Sequence, residues 1–239
     1  MRARVLCEFA TFILFVEALA AGLFALPASA GSITEKTKYE YYYASGQTAL
    51  DIVMTMDRAS PRIGRKEVWG MMDIDPDFEP VPASGPLCKY ADMRINVSYT
   101  ITIPAHKQEN ALSPKLRRQF QSFARFVKRH EEEHRQIYRR CFRDMRRAML
   151  AVRGHADCET YLKTLYDIVD RHYQRCDASD NRIDDRDVPL VERQPLFRAA
   201  LAQVETGQER RALEAAVSAG SGGANRRSND PALPVFTRN

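Results

Sequence analysis

Two of the five histidines in this 239-residue chain stand four positions apart, in Arg129-His130-Glu131-Glu132-Glu133-His134-Arg135. On a helix that spacing stacks two imidazoles on one face, where both can reach a single metal ion at about 2.0–2.1 Å. Zinc is the ion this His-Glu-x-x-His pattern suits best. Glu131 is near enough to His130 to take a proton from water on such an ion, whereas Glu132 points to the opposite side and Glu133 to a flank. The chemistry expected is peptide-bond hydrolysis, with His130 and His134 as zinc ligands and Glu131 as general base.

A long helix must carry the motif. Ser113 supplies a capping hydroxyl and Pro114 a first-turn residue that needs no N–H partner, so a helix is predicted from Pro114 to about Val152. Its apolar stripe reads Leu116, Phe120, Phe123, Val127, His130, His134, Ile137, Cys141, Met145 and Ala148. Both histidines therefore continue a buried face, where each ring nitrogen needs a partner. A break at Arg153-Gly154 precedes a second predicted helix from Asp157 to Cys176, and the two form an antiparallel hairpin. A turn centred on Arg153-Gly154 sets His172 opposite Arg135, which nominates His172 as the third ligand. The same register leaves Cys141 and Cys158 about nine residues, or about 13 Å, apart along the hairpin, too far for a disulfide. Cys141 and Cys176 are mismatched as much, so they need a bent helix to pair or else stay reduced, and Cys176 is a remote candidate ligand. Cys88 is the better partner for Cys158.

The segments before the motif read as strands. Tyr90 to Ile103 alternates Met93, Ile95, Val97, Tyr99, Ile101 and Ile103 with polar residues, the pattern of a half-buried strand that Pro104 should end. Lys38 to Ala44 and Lys66 to Met72 are further strands, Thr48 to Arg58 a short amphipathic helix, and the proline-rich stretch from Asp73 to Pro86 a loop. An exposed edge, either Tyr90 to Ile103 or Lys66 to Met72, could take an extended peptide by strand addition. The fold expected is α+β and zincin-like: a small, mostly antiparallel sheet packed on the motif helix and its hairpin partner.

Residues 1–30 have the form of a secretory signal: Arg2 and Arg4, a mostly apolar run, then Pro27-Ala28-Ser29-Ala30 as a cleavage site. A domain over 31–190, an amphipathic helix over 191–217 and a disordered tail over 218–239 follow, with Asp180 to Asp187 too charged for core. Four cysteines outside the leader suit a periplasmic or secreted protein with disulfides. The formal net charge is +5, and ten arginines lie along the motif helix, mostly off its apolar stripe. Without interleaved aromatic residues, and in an exported protein, they do not suggest nucleic acid; an anionic envelope surface remains a possible partner.

With these features together, the chain resembles the bacterial domain-of-unknown-function family described as predicted secreted zinc-dependent proteases. The resemblance spans about Tyr39 to Asp187 and includes the Tyr-rich strand with Gly46-Gln47-Thr48-Ala49, Cys88, the His130 to His134 motif and Cys158. It implies a zinc protease acting on peptides or proteins. Glu133 stands where members carry glycine, and Ile183-Asp184-Asp185-Arg186-Asp187 keeps only an aspartate of a later His-Gly segment. The resemblance offers Asp184 as an alternative third ligand to His172. The rival functions are a non-catalytic envelope protein with a structural or vestigial metal site, and a basic surface-binding protein.

Overall fold

The computed structural model describes residues 33–63, 66–204, 211, 213–215 and 226–227. The leader and nearly all of the tail expected over 218–239 lie outside the described residues. The fold is α+β. Strand β1 (Ile33–Ala44) leads to α1 (Ala49–Ala59), two short strands β2 (Arg62–Ile63) and β3 (Lys66–Glu67) that pair with each other, and a long hairpin of β4 (Met71–Pro82) and β5 (Tyr90–His106). Helices α2 (Pro114–Leu150), α3 (Cys158–Val191) and α4 (Pro195–Ala202) follow, and β6 is Arg226–Arg227. Of the helix expected over 191–217, α4 is the long described piece, and Arg211 and residues 213–215 are helical too.

The main sheet runs β1-β5-β4-β6 and is mixed rather than mostly antiparallel. The chain leaves β1 through α1 and comes back in β4, so the second arm of the β4–β5 hairpin lies parallel to β1. That places β5 in the middle of the sheet, which rules it out as an edge for a docking peptide. The strand expected over Lys66 to Met72 is also divided: Val68, Trp69 and Gly70 separate β3 from β4.

The stretch from Asp73 to Pro82, expected to be loop, belongs to β4. Pro76, Pro80 and Pro82 share one parity, so their missing N–H groups all fall on the side away from β5 and cost the ladder nothing. By the same phase, Pro104 turns its nitrogen to the side where β4 pairing has already ended at Thr102, and β5 runs on to His106 instead of stopping. The inner face of β5 is the expected one: Met93, Ile95, Val97, Tyr99, Ile101 and Ile103 are all buried.

The core lies between this face and α2. Phe123 of α2 meets Trp69 and Phe197 edge-on, with ring centroids 6.1 and 4.9 Å away, which ties α2 to the segment before β4 and to α4. Tyr42 donates a 2.7 Å hydrogen bond to the Trp69 carbonyl, so that segment is held from both sides.

Helix α3 does not end near Cys176 but continues to Val191, and the hairpin register differs from the expected one. Tyr138 meets Asp177, where a turn centred on Arg153-Gly154 would put Val169, a displacement of about two helical turns. The connection causes it: Cys88 pairs with His155 through backbone hydrogen bonds of 2.8 and 3.1 Å and with Cys158 through a disulfide, so α3 starts beyond the end of α2. This register also brings Cys141 and Cys176 to a Cα separation of 6.1 Å, and they form the second disulfide.

Candidate metal centre

Helix α2 delivers three buried polar side chains in just over one turn: His130, Glu131 and His134. Helix α3 brings Asp180, Asp184 and Asp187 against them, spaced by four and three so that all lie on one helix face. Asp180 Oδ1 is 2.5 Å from His134 Nδ1, and Asp187 Oδ2 is 3.0 Å from His130 Nδ1. Ionised carboxylates only accept, so each Nδ1 carries a proton, and in the neutral ring Nε2 is left as a lone pair.

The two lone pairs converge. His130 Nε2 and His134 Nε2 are 3.0 Å apart, with Asp184 Oδ1 at 3.1 and 3.2 Å from them. Asp184 Oδ1 is buried yet makes no hydrogen bond of good geometry. Three acceptors packed this closely repel one another unless a proton or a cation lies among them. Ligands at 2.0–2.1 Å from a tetrahedral zinc ion are separated by about 3.3 Å, close to the spacing seen. Two imidazoles and a carboxylate, each imidazole backed by its own carboxylate, are donors that could hold a divalent metal ion such as zinc.

Charges around the group are balanced unevenly. Burial opposes a charged ring at His134, but hydrogen bonds to Asp180 and Asp184 outweigh it and push its pKa up to about 10. His130 is raised too, against burial, by Asp184, Glu131 and Asp187. The histidines in turn hold Asp184 below the usual carboxylate range despite its burial. Asp187 shares its charge with Arg186, whose Nε and Nη2 reach its oxygens at 2.7 and 2.8 Å while Nη2 also reaches Glu133 at 2.6 Å. Glu133 thus joins α3 to α2 through Arg186.

Burial raises Glu131 to about 7, the histidine charges only partly opposing it. Its carboxylate lies against Gly70, where an added Cβ would come within 2.4 Å of Oε1 and 2.5 Å of Val127 Cγ1. Gly70 is therefore needed as the residue without a side chain beside the motif.

His172 is not in this group. It lies half-buried on α3 about two turns before Asp180, and the displaced register brings Asp180 rather than His172 opposite His134. Cys176 is committed to its disulfide and is no ligand. Among the described residues, the potential metal-holding group is His130, His134 and Asp184. Asp180 and Asp187 are not among the ligands expected from the sequence, although Val169, Tyr173, Cys176, Asp180, Asp184, Asp187 and Val191 keep the three- and four-residue steps of α3's buried stripe.

A profile of the family described as "Bacterial protein of unknown function (DUF922)" matches residues 39–188, more than half of the chain, which therefore belongs to that family. The matched span runs from β1 to the last turn of α3 and contains every side chain of the cluster. Comparison with curated proteins and with solved structures gives no match.

Proposed function

We propose that this DUF922 protein is an exported, zinc-dependent metallopeptidase that hydrolyses peptide bonds in peptide or protein substrates. The observation that carries this reading is the convergence of His130 Nε2, His134 Nε2 and Asp184 Oδ1 within 3.0 to 3.2 Å of one another, with Glu131 beside them. Zinc held by these three residues would supply a Lewis acid that polarises the scissile carbonyl and lowers the pKa of an attacking water.

The chain's own groups do the rest. Asp180 and Asp187 keep the Nδ1 protons in place and so aim both Nε2 lone pairs inward. Glu131, poised at about 7, takes the proton from water and returns it to the leaving amine. Gly70 leaves room for that carboxylate, and the Tyr42 hydroxyl fixes the backbone next to it. The His130 and Asp184 side chains keep 11 % and 13 % of their surface exposed. Packing of α2 beneath β5 fits a zincin-like arrangement. Two disulfides suit an oxidising compartment, periplasmic or extracellular, and among the described residues no helix is long and apolar enough to cross a membrane.

A second reading is a closed structural site, favoured by the Glu133–Arg186 pair that clamps α3 onto α2 beside the ligands. Metal analysis of wild-type protein beside His134→Ala and Asp184→Ala, followed by cleavage assays on a quenched peptide library, separates the two. The peptidase reading expects about one zinc per chain, lost in both variants, and cleavage lost in Glu131→Gln while zinc is kept. Equal zinc in all three proteins would end the metal reading. Cleavage undiminished in Glu131→Gln would remove its role as base, and zinc without any cleavage would favour the structural site.

A further inference from the structure

The ten arginines of α2 divide into two sets. Arg117 donates to the carbonyls of Asn110 and Leu112, Arg139 to Glu35, and Arg146 to Asp92 and the Met93 carbonyl, which fastens the helix to its neighbours, while Arg135 donates to Glu132 of the same helix and lies 3.9 Å from Glu35 of β1. Arg118, Arg125, Arg129, Arg140, Arg143 and Arg147 are all exposed. At 100° per residue they fall within an arc of about 60°, a single straight row about 44 Å long. Gln136 lies on the same line between Arg129 and Arg140.

Little offsets the charge of this row. Among the described residues no ion pair reaches Arg118, Arg125, Arg129, Arg140 or Arg143, and Arg147 meets Asp144 only at 3.5 Å with both side chains more than half exposed. Arg129 lies 5.5 Å from the Phe126 ring, which restrains its guanidinium without neutralising it. Six cations aligned on one helix face repel one another, and a ligand with a matching row of anions relieves that repulsion.

We propose that this face of α2 is a docking surface for a linear acidic polysaccharide, whose carboxylates lie along the helix axis and pair with the arginine forks. A bilayer fits less well. A membrane-surface helix buries an apolar face next to its cations, whereas the apolar face of α2 is spent on the core, and the exposed large hydrophobic residues Tyr41, Tyr43 and Leu87 lie on other segments. Nucleic acid fits less well too, because no aromatic ring interrupts the row to stack on bases and the two disulfides suit an exported protein. The surface faces away from His130 and His134, so the inference stands whether or not the metal site is catalytic.

The test measures binding of the full chain to fluorescent polygalacturonate oligomers at low salt, with neutral dextran, phosphatidylglycerol vesicles and duplex DNA alongside. Wild type should bind the polygalacturonate with steep salt dependence and ignore dextran. Arg125→Gln, Arg129→Gln and Arg140→Gln together should weaken binding by roughly tenfold or more, and Arg139→Gln, which removes a tied arginine, by less than about twofold. Single changes at Arg129 and Arg140, each weakening binding about two- to fivefold, keep the test decisive if the triple variant fails to fold. Equal binding by wild type and the arginine variants, or tighter binding to vesicles or DNA than to the polysaccharide, would overturn the proposal.

Discussion

Asp180 Oδ1 lies 2.5 Å from His134 Nδ1, while the other nitrogen of the same ring lies 3.2 Å from Asp184 Oδ1. One imidazole is thus gripped from behind by one carboxylate and faces another across the place where a cation would sit. His130 repeats the arrangement with Asp187 and the same Asp184.

The two supporting carboxylates are not equivalent. Asp187 divides its oxygens between His130, at 3.0 Å, and Arg186, whereas Asp180 makes the shorter contact to its histidine, at 2.5 Å. Asp180→Asn should therefore weaken zinc binding by about 10- to 100-fold, and Asp187→Asn by less. Competition with a chromophoric chelator measures both, and a larger loss for Asp187→Asn would refute the ranking.

Gly70→Ala pushes a methyl group into Glu131 Oε1 and Val127 Cγ1. Peptide cleavage should fall with zinc content unchanged, and stability should drop by about 1–3 kcal/mol, the usual cost of overpacking. An alanine variant with full activity would show that the Glu131 carboxylate is free to move.

Zinc-free protein should lose stability as the medium turns alkaline. His134 is raised from about 6.5 in the unfolded chain to about 10 in the fold. Its contribution is fully present below the lower value and is lost as pH climbs through the higher one. Denaturant titrations across that window check the slope, and Asp180→Asn should flatten it. Over the same range zinc competes with the proton for the site, so its apparent affinity should rise with pH.

The Cys141–Cys176 disulfide joins α2 to α3 one turn from Asp180, while Cys88–Cys158 lies at the far end of α3. Replacing Cys141 and Cys176 by alanine should cost about 2–4 kcal/mol of stability and also weaken zinc binding. Replacing Cys88 and Cys158 should cost stability with a smaller effect on zinc. Equal zinc affinities in the two double variants, measured with folded protein, would contradict this division.

Helix α2 and the inner face of β5 were readable because their periodicities are long and uninterrupted, and the buried stripe of α2 runs through both histidines as expected. Strand β4 was hidden by its prolines, which are harmless in a phase that only the pairing partner reveals. The end of α3 was hidden by its charge. Asp180 and Asp187 look like solvent-facing residues until their partners are known, and those partners are 46 and 57 positions earlier in the chain. Nothing local records such a pairing. Local spacing points to His172 ahead of Asp184 for the same reason: a helix hairpin's register depends on how its connection is anchored, and here Cys88, far back in the chain, anchors it.

That anchoring turns α3 into a ruler. Its zero mark is the Cys88–Cys158 junction, its first check is Cys176, and the carboxylates are read off at fixed distances beyond. Deleting one residue between Cys176 and Asp180 would leave both disulfides and the helix intact, yet rotate all three carboxylates by about 100° away from the histidines. The cluster is specified by counting along α3 as much as by the chemistry of its side chains, so a change of chain length there would abolish it without removing a single one of its residues.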